Sequence, residues 1–189
     1  FITVGCNNQK PESGSTESTS KKKDQLVIAV LPKLINIAYF DACQKGAQEA
    51  AAELGIKLIY DGPTKPSGTE QIKFMETWIR QGVDAICIAP NQPKTIRSVV
   101  EKAQKRGIKI ITWDTDAAES GRDLMVNQVD YQTLGEKLID EIAEQMNEEG
   151  EWAVAIATLD ATNLNTWREF AEERAKKKYP KMKKVETII

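Results

Sequence analysis

From Gln25 onward the chain alternates short, wholly apolar runs with longer segments whose apolar residues recur every three or four positions. Residues 26–31 form the first run, the pattern of a strand covered on both faces. Residues 39–54 follow as a helix, with Cys43, Ala47, Ala50, Ala51 and Leu54 along one side and Gly55 as its stop. Residues 56–60 read as the next strand. Residues 70–81 place Ile72, Met75 and Ile79 on one helix face before Gly82. A third strand is predicted over 83–89. A helix carrying Ile96, Val99, Val100 and Ala103 then leads through Gly107 to a fourth strand over 108–113. A fifth strand is expected over 124–126, and a helix over 131–147 with Leu134, Leu138, Ile142 and Met146. After Gly150 the pattern restarts with strand 152–158, helix 163–178 and strand 185–189.

Helix, glycine, apolar strand and polar loop therefore repeat in one order. Each of Gly55, Gly82 and Gly107 allows the left-handed residue that turns the chain back into the sheet. Right-handed crossovers of this kind build an α/β fold, a doubly wound parallel sheet with helices on both faces. Residues 25–149 are expected to form one lobe. Residues 150–189 are expected to open a second, truncated lobe, because the sequence stops on an apolar strand.

The front end is different in kind. Residues 1–6 read Phe-Ile-Thr-Val-Gly-Cys, the tail of an export signal, and a small residue followed at once by Cys resembles the bacterial lipobox. Thr3 stands where that motif usually has Leu. Residues 7–24 carry no large apolar residue and are rich in Ser, Thr, Lys and Glu, so they are expected to form a flexible tether behind a lipidated Cys6.

Composition narrows the chemistry. The chain of 189 residues contains no histidine, which removes Ser-His-Asp and Cys-His catalysis and most catalytic zinc sites. A formal net charge of −2 gives no reason to expect a nucleic-acid partner. Lys176-Lys177-Lys178 ends a helix, where cations suit the dipole. Cys43 and Cys87 read as small packing residues.

Candidate chemistry lies after the strands, since ligands of open α/β sheets bind outside the carboxyl ends. Those ends carry Lys33, Asn91, Trp113, Asp114, Asp116, Asn127 and Gln128, with Phe40 at the start of the first helix. Carboxylates accept from hydroxyls, amides and ammonium groups donate, and aromatic faces suit the C–H face of a sugar. A small polyol fits that mixture. Asp114 and Asp116 could instead cap a helix or hold a cation, Lys33 could be a solvated loop lysine, and Asp61-Gly62-Pro63 reads as a turn. Asp114 is read as a cleft acceptor, so Asp114→Ala is expected to remove binding with little loss of fold.

Several of these stretches carry a resemblance. Leu31-Pro32-Lys33-Leu34, Tyr39-Phe40-Asp41-Ala42, Tyr60-Asp61-Gly62-Pro63-Thr64-Lys65-Pro66-Ser67, Thr112-Trp113-Asp114-Thr115-Asp116, Val126-Asn127-Gln128 and Asn165-Thr166-Trp167 run in the order found in type I periplasmic binding proteins of ABC importers. They resemble most the branch of rhamnose and autoinducer-2 receptors. The resemblance implies two lobes closing on a ligand, no enzymatic reaction, no cofactor, and a monomer working with a membrane permease at the outer face of the cytoplasmic membrane or in the periplasm. It implies ligand contacts at Lys33 and Asp114. In the autoinducer-2 receptor an Asp-Gln pair precedes the Asn-x-Trp. Here those positions are Asn163 and Leu164, which argues against autoinducer-2 and leaves room for a sugar, with Asn163 as a neutral partner.

Three functions compete: a sugar-delivering binding protein, a signal receptor of the autoinducer-2 type on the same fold, and an α/β enzyme using Asp114 or Asp116. The sequence has no nucleophile elbow, P-loop or G-x-G-x-x-G to support the third.

Overall fold

The first five apolar runs pair as one parallel sheet. Its strands are β1 (Val27–Leu31), β2 (Lys57–Tyr60), β3 (Ala85–Ile88), β4 (Lys109–Trp113) and β5 (Leu124–Val126), in the order β2-β1-β3-β4-β5. The computed structural model describes residues 25–189. Cys6 and the 7–24 segment, expected as anchor and tether, lie outside the described residues.

The crossovers are α1 (Ala38–Leu54), α2 (Gly68–Gln81) and α3 (Arg97–Gln104). Gly55, Gly82 and Gly107 have φ of 65°, 70° and 77°, the left-handed turns the pattern requires. Ala29, Leu31, Ile86, Ile88 and Ile110 are fully buried and pack with Met75, Ile79, Val99, Val100 and Ala103 of α2 and α3. Trp78 joins this core. On α1, by contrast, Phe40 is the one buried residue, and Leu54 is 67% exposed. The register pairs Leu31 with Ile88, Ile88 with Thr112 and Trp113 with Val126, so the strands finish along one edge.

A second, two-stranded parallel sheet joins β6 (Gly150–Ala155) to β7 (Met182–Ile188) through α5 (Thr162–Lys178). Helix α4 (Tyr131–Gln145), expected by its place before Gly150 to belong with the first sheet, packs on α5 instead. Its Ile139 and Ala143 share a core with Trp152, Ala171, Ala175, Tyr179 and Met182. The face it buries also differs from the expected one: Gly135, Ile139 and Ala143 are buried, while Leu138 and Ile142 remain exposed. The reason is close approach. A Cβ at Gly135 would run into the Trp167 carbonyl and lie 2.7 Å from Phe170 Cβ. A row with small residues at two of its three positions, Gly135 and Ala143, lets two helices approach closely around Ile139.

Charges lace the rim of the same helix pair. Arg174 holds Asp140 through two hydrogen bonds of 2.7 Å and Glu136 at 2.8 Å, and Tyr179 donates to Asp140 at 2.8 Å. The Arg174 hydrogen bonds hold the Asp140 carboxyl far below the usual carboxylate range.

Candidate functional site

The edge formed by the ends of β1, β3, β4 and β5 faces the first turns of α5 across a cavity of about 410 Å³. Lys33, Asn91, Asp114 and Gln128 reach it from the first sheet's edge, Tyr39 and Phe40 from the start of α1, and Asn163, Leu164 and Trp167 from α5. Lys33 and Asp114 are the only charged side chains lining it among the described residues.

Asp114 is the centre of the polar wall. Immediately after β4 the chain makes a three-residue turn, with the Thr115 N–H donating to the Trp113 carbonyl at 2.6 Å. This gives Asp114 a φ of 62°, a left-handed conformation that costs a non-glycine residue about 1 kcal/mol. The side chain is thereby turned inward and is buried. Its Oδ2 lies 2.7 Å from Lys33 Nζ and accepts from Thr115 Oγ1 at 3.2 Å. Its Oδ1 accepts from Tyr39 at 3.2 Å and from Gln128 Nε2 at 3.0 Å. Burial, followed by the Asp114 charge, raises the Tyr39 phenol above its ordinary value.

Lys33 joins the two sides of the cavity. Besides Asp114 it donates to Asn163 Oδ1 at 3.2 Å, and Asn163 is itself buried on α5. Two more links cross the same gap. Tyr131 of α4 donates to the Asp114 carbonyl at 3.5 Å, and Gln92 donates to Asp160 at 3.2 Å.

The first-lobe loops are tied down from beneath by Gln71, which sequence reasoning missed. This fully buried amide donates to the carbonyls of Pro32 and Ala89 at 3.0 and 2.8 Å, and its oxygen accepts from the Asn91 N–H at 2.8 Å. Asn91 Nδ2 then donates to the Lys33 carbonyl at 2.9 Å. Gln71 shares its helix row with Met75 and Ile79, and a polar residue on an apolar row was the available signal.

Six of the residues predicted from sequence therefore line one cavity: Lys33, Phe40, Asn91, Asp114, Gln128 and Asn163. Asp116 and Asn127 do not line it. Asp116 accepts from Thr112 Oγ1, from its own loop at Ala117 N and from two nitrogens of Arg122 at 2.7 and 2.8 Å. The Arg122 hydrogen bonds hold its carboxyl below the ordinary range, and its place in the fold is that of a loop clamp. Asn127 is exposed after β5. Trp113 packs edge-on to Phe40 at 5.6 Å behind the cavity. Asp61 forms the expected turn, accepting from the Gly62 N–H at 2.8 Å. Tyr39 and Trp167 are further wall residues, the latter edge-on to Tyr131 at 6.1 Å.

Most of the remaining lining is apolar: Leu34, Ile37, Pro66, Val129, Leu134, Ala157, Ala161 and Leu164 surround the polar centre. A neutralised charge pair, amides and a phenol against aliphatic and aromatic surface can hold an uncharged molecule with hydroxyls on one side and C–H groups on the other.

Solved structures with this architecture hold D-arabinose, L-rhamnose and AI-2. An ABC transporter solute-binding protein from Burkholderia graminis, in complex with D-arabinose, is 34% identical with a TM-score of 0.82, over 88% of this chain and 57% of that one. A solute-binding protein from Clostridium phytofermentas with bound L-rhamnose is 25% identical with a TM-score of 0.82, over 87% and 51%. LsrB from Clostridium saccharobutylicum in complex with AI-2 is 26% identical with a TM-score of 0.81, over 86% and 53%. The ribose import binding protein of Bacillus subtilis is 27% identical over 126 residues, covering 67% of this chain and 41% of that protein. The chain thus spans about half the length of the relatives it matches. The periplasmic binding protein domain model matches residues 28–189, and the chain belongs to that family.

Proposed function

We propose that the protein is an extracytoplasmic solute-binding receptor of an ABC importer that captures a neutral sugar between two lobes and passes it, unchanged, to a membrane permease. The single observation that carries this reading is the Lys33 ammonium, which touches Asp114 on one side of the cavity and Asn163 on the other. A ligand that engages these three groups holds the two sides together, which is the physical basis of closure on a ligand. The lobes divide between Val126 and Tyr131, because α4 shares its core with α5. Residues 7–24 act as a tether from a lipidated Cys6, and the receptor works as a monomer.

The ligand class follows from charge. Lys33 and Asp114 neutralise each other, so a sugar acid, a phosphosugar or an amino acid would bring an uncompensated charge into a partly dry cavity. Pentoses and deoxyhexoses have the right polarity, and the arabinose and rhamnose complexes of similar proteins support that choice. A receptor for an autoinducer-2-type signal is the second reading, favoured by the likeness to LsrB. Leu164 on the apolar wall weighs against it, since the resemblance places a hydrogen-bonding glutamine there.

A thermal-shift screen of the full-length protein against pentoses, deoxyhexoses and AI-2 tests the proposal. A sugar that binds should raise the melting temperature, and further as its concentration rises above the Kd. A shift with AI-2 alone would favour the signal receptor, and a shift with amino acids alone would end the sugar reading.

A further inference from the structure

An ionised carboxylate has about four positions at which it accepts hydrogen bonds, two on each oxygen. Asp114 has all of them taken: Tyr39 and Gln128 on Oδ1, Lys33 and Thr115 on Oδ2. A ligand hydroxyl therefore reaches this carboxylate only where one of the four donors withdraws. The structure discriminates among them.

Lys33 is held at 2.7 Å as an ion pair whose side chains are 15% and 8% exposed, and separating buried opposite charges is the costliest exchange available. Thr115 is fully buried, so its hydroxyl would lose its carboxylate with no water to replace it. Gln128 is exposed as Tyr39 is, but it donates at 3.0 Å, an ordinary length for N–H···O. Tyr39 donates at 3.2 Å, long for a hydroxyl on a carboxylate, where roughly 2.5–2.7 Å is usual. Tyr39 is also 47% exposed on the first turn of α1. A small rotation gives its hydroxyl to water, and no polar group is left stranded.

We propose that the Tyr39 hydroxyl holds the place of a ligand hydroxyl on Asp114 and yields to it, so that this residue lowers the affinity of the cavity by competing with its ligand. The inference rests on Asp114 being the acceptor of a sugar hydroxyl. It assigns Tyr39 two separable parts. The ring packs edge-on to Phe40 at 4.9 Å and shapes the wall, while the oxygen occupies an acceptor site on Asp114.

Tyr39→Phe separates them, because it keeps the ring and removes the competitor. Wild-type and Tyr39→Phe full-length proteins are titrated calorimetrically with D-arabinose, D-ribose and L-rhamnose. The expected result is tighter binding by the variant, by about three- to tenfold, the value of one hydrogen bond that no longer has to be broken. Equal or weaker binding by the variant, with wild type still binding a sugar, overturns the competition and leaves the receptor reading standing. Binding of none of the sugars by either protein overturns both.

Discussion

Lys33 and Asp114 follow strands that lie on either side of β3, and their side chains meet at 2.7 Å, 15% and 8% exposed. Each neutralises a charge that would otherwise be buried alone. This changes the expected behaviour of Asp114 from that of a replaceable cleft acceptor. Removing it leaves a lysine desolvated and unpaired, a change of about 3 kcal/mol or more.

Asp114→Asn should accordingly abolish sugar binding and also lower the unfolding free energy by about 3 kcal/mol. Asp114→Ala should lose about 1 kcal/mol more, because asparagine tolerates a φ of 62° better than alanine does. Urea unfolding of the two variants measures both quantities. Equal stability in Asp114→Asn and wild type would mean that Lys33 is solvated after Asp114 is neutralised.

Gln71→Met keeps length and volume but strands two carbonyls and the Asn91 N–H beneath the site. A stability loss of about 2–4 kcal/mol is expected, together with weaker binding as the Lys33 and Asn91 loops relax. Unchanged affinity in a measurably destabilised variant would limit Gln71 to a core role.

Gly135→Ala separates propensity from packing. On an open helix the change would stabilise by about 1 kcal/mol. Here the new Cβ meets the backbone of α5, so a net loss of about 1–3 kcal/mol is expected, with α5 and its Asn163 displaced. A higher melting temperature for the variant would contradict the close α4–α5 approach.

The Asp116 clamp predicts a pH dependence. Arg122 depresses the folded-state pKa of Asp116, so the stabilisation is present above the unfolded value of about 3.9 and is lost as pH falls through the lower folded value. Unfolding free energy should drop on acidification below about pH 4, and Asp116→Asn should make that drop shallower. Identical slopes for variant and wild type would remove Asp116 from the acid-sensitive set.

The parallel sheet was legible because buried strands read as unbroken apolar runs, and Gly55, Gly82 and Gly107 marked each return to the sheet. The strand-end rule brought Lys33, Asn91, Asp114 and Gln128 to one cavity, since register aligns those ends. It could not say which way a loop side chain turns, so Asp116 and Asp114 looked equivalent two positions apart. The left-handed turn at Asp114 and the Arg122 partner of Asp116 divide them. The packing of α4 escaped for another reason: its buried row of Gly135, Ile139 and Ala143 is less apolar than the exposed row with Leu138 and Ile142.

The most direct measurement is calorimetric titration of the full-length protein with D-arabinose, D-ribose and L-rhamnose beside arabinonate and ribose 5-phosphate, in wild type and Asp114→Asn. The account predicts that wild type binds at least one neutral sugar and neither charged counterpart, that Asp114→Asn binds none, and that the sugar is recovered unchanged. Tight binding of a charged counterpart, or undiminished sugar binding by Asp114→Asn, would contradict a cavity built around the Lys33–Asp114 pair.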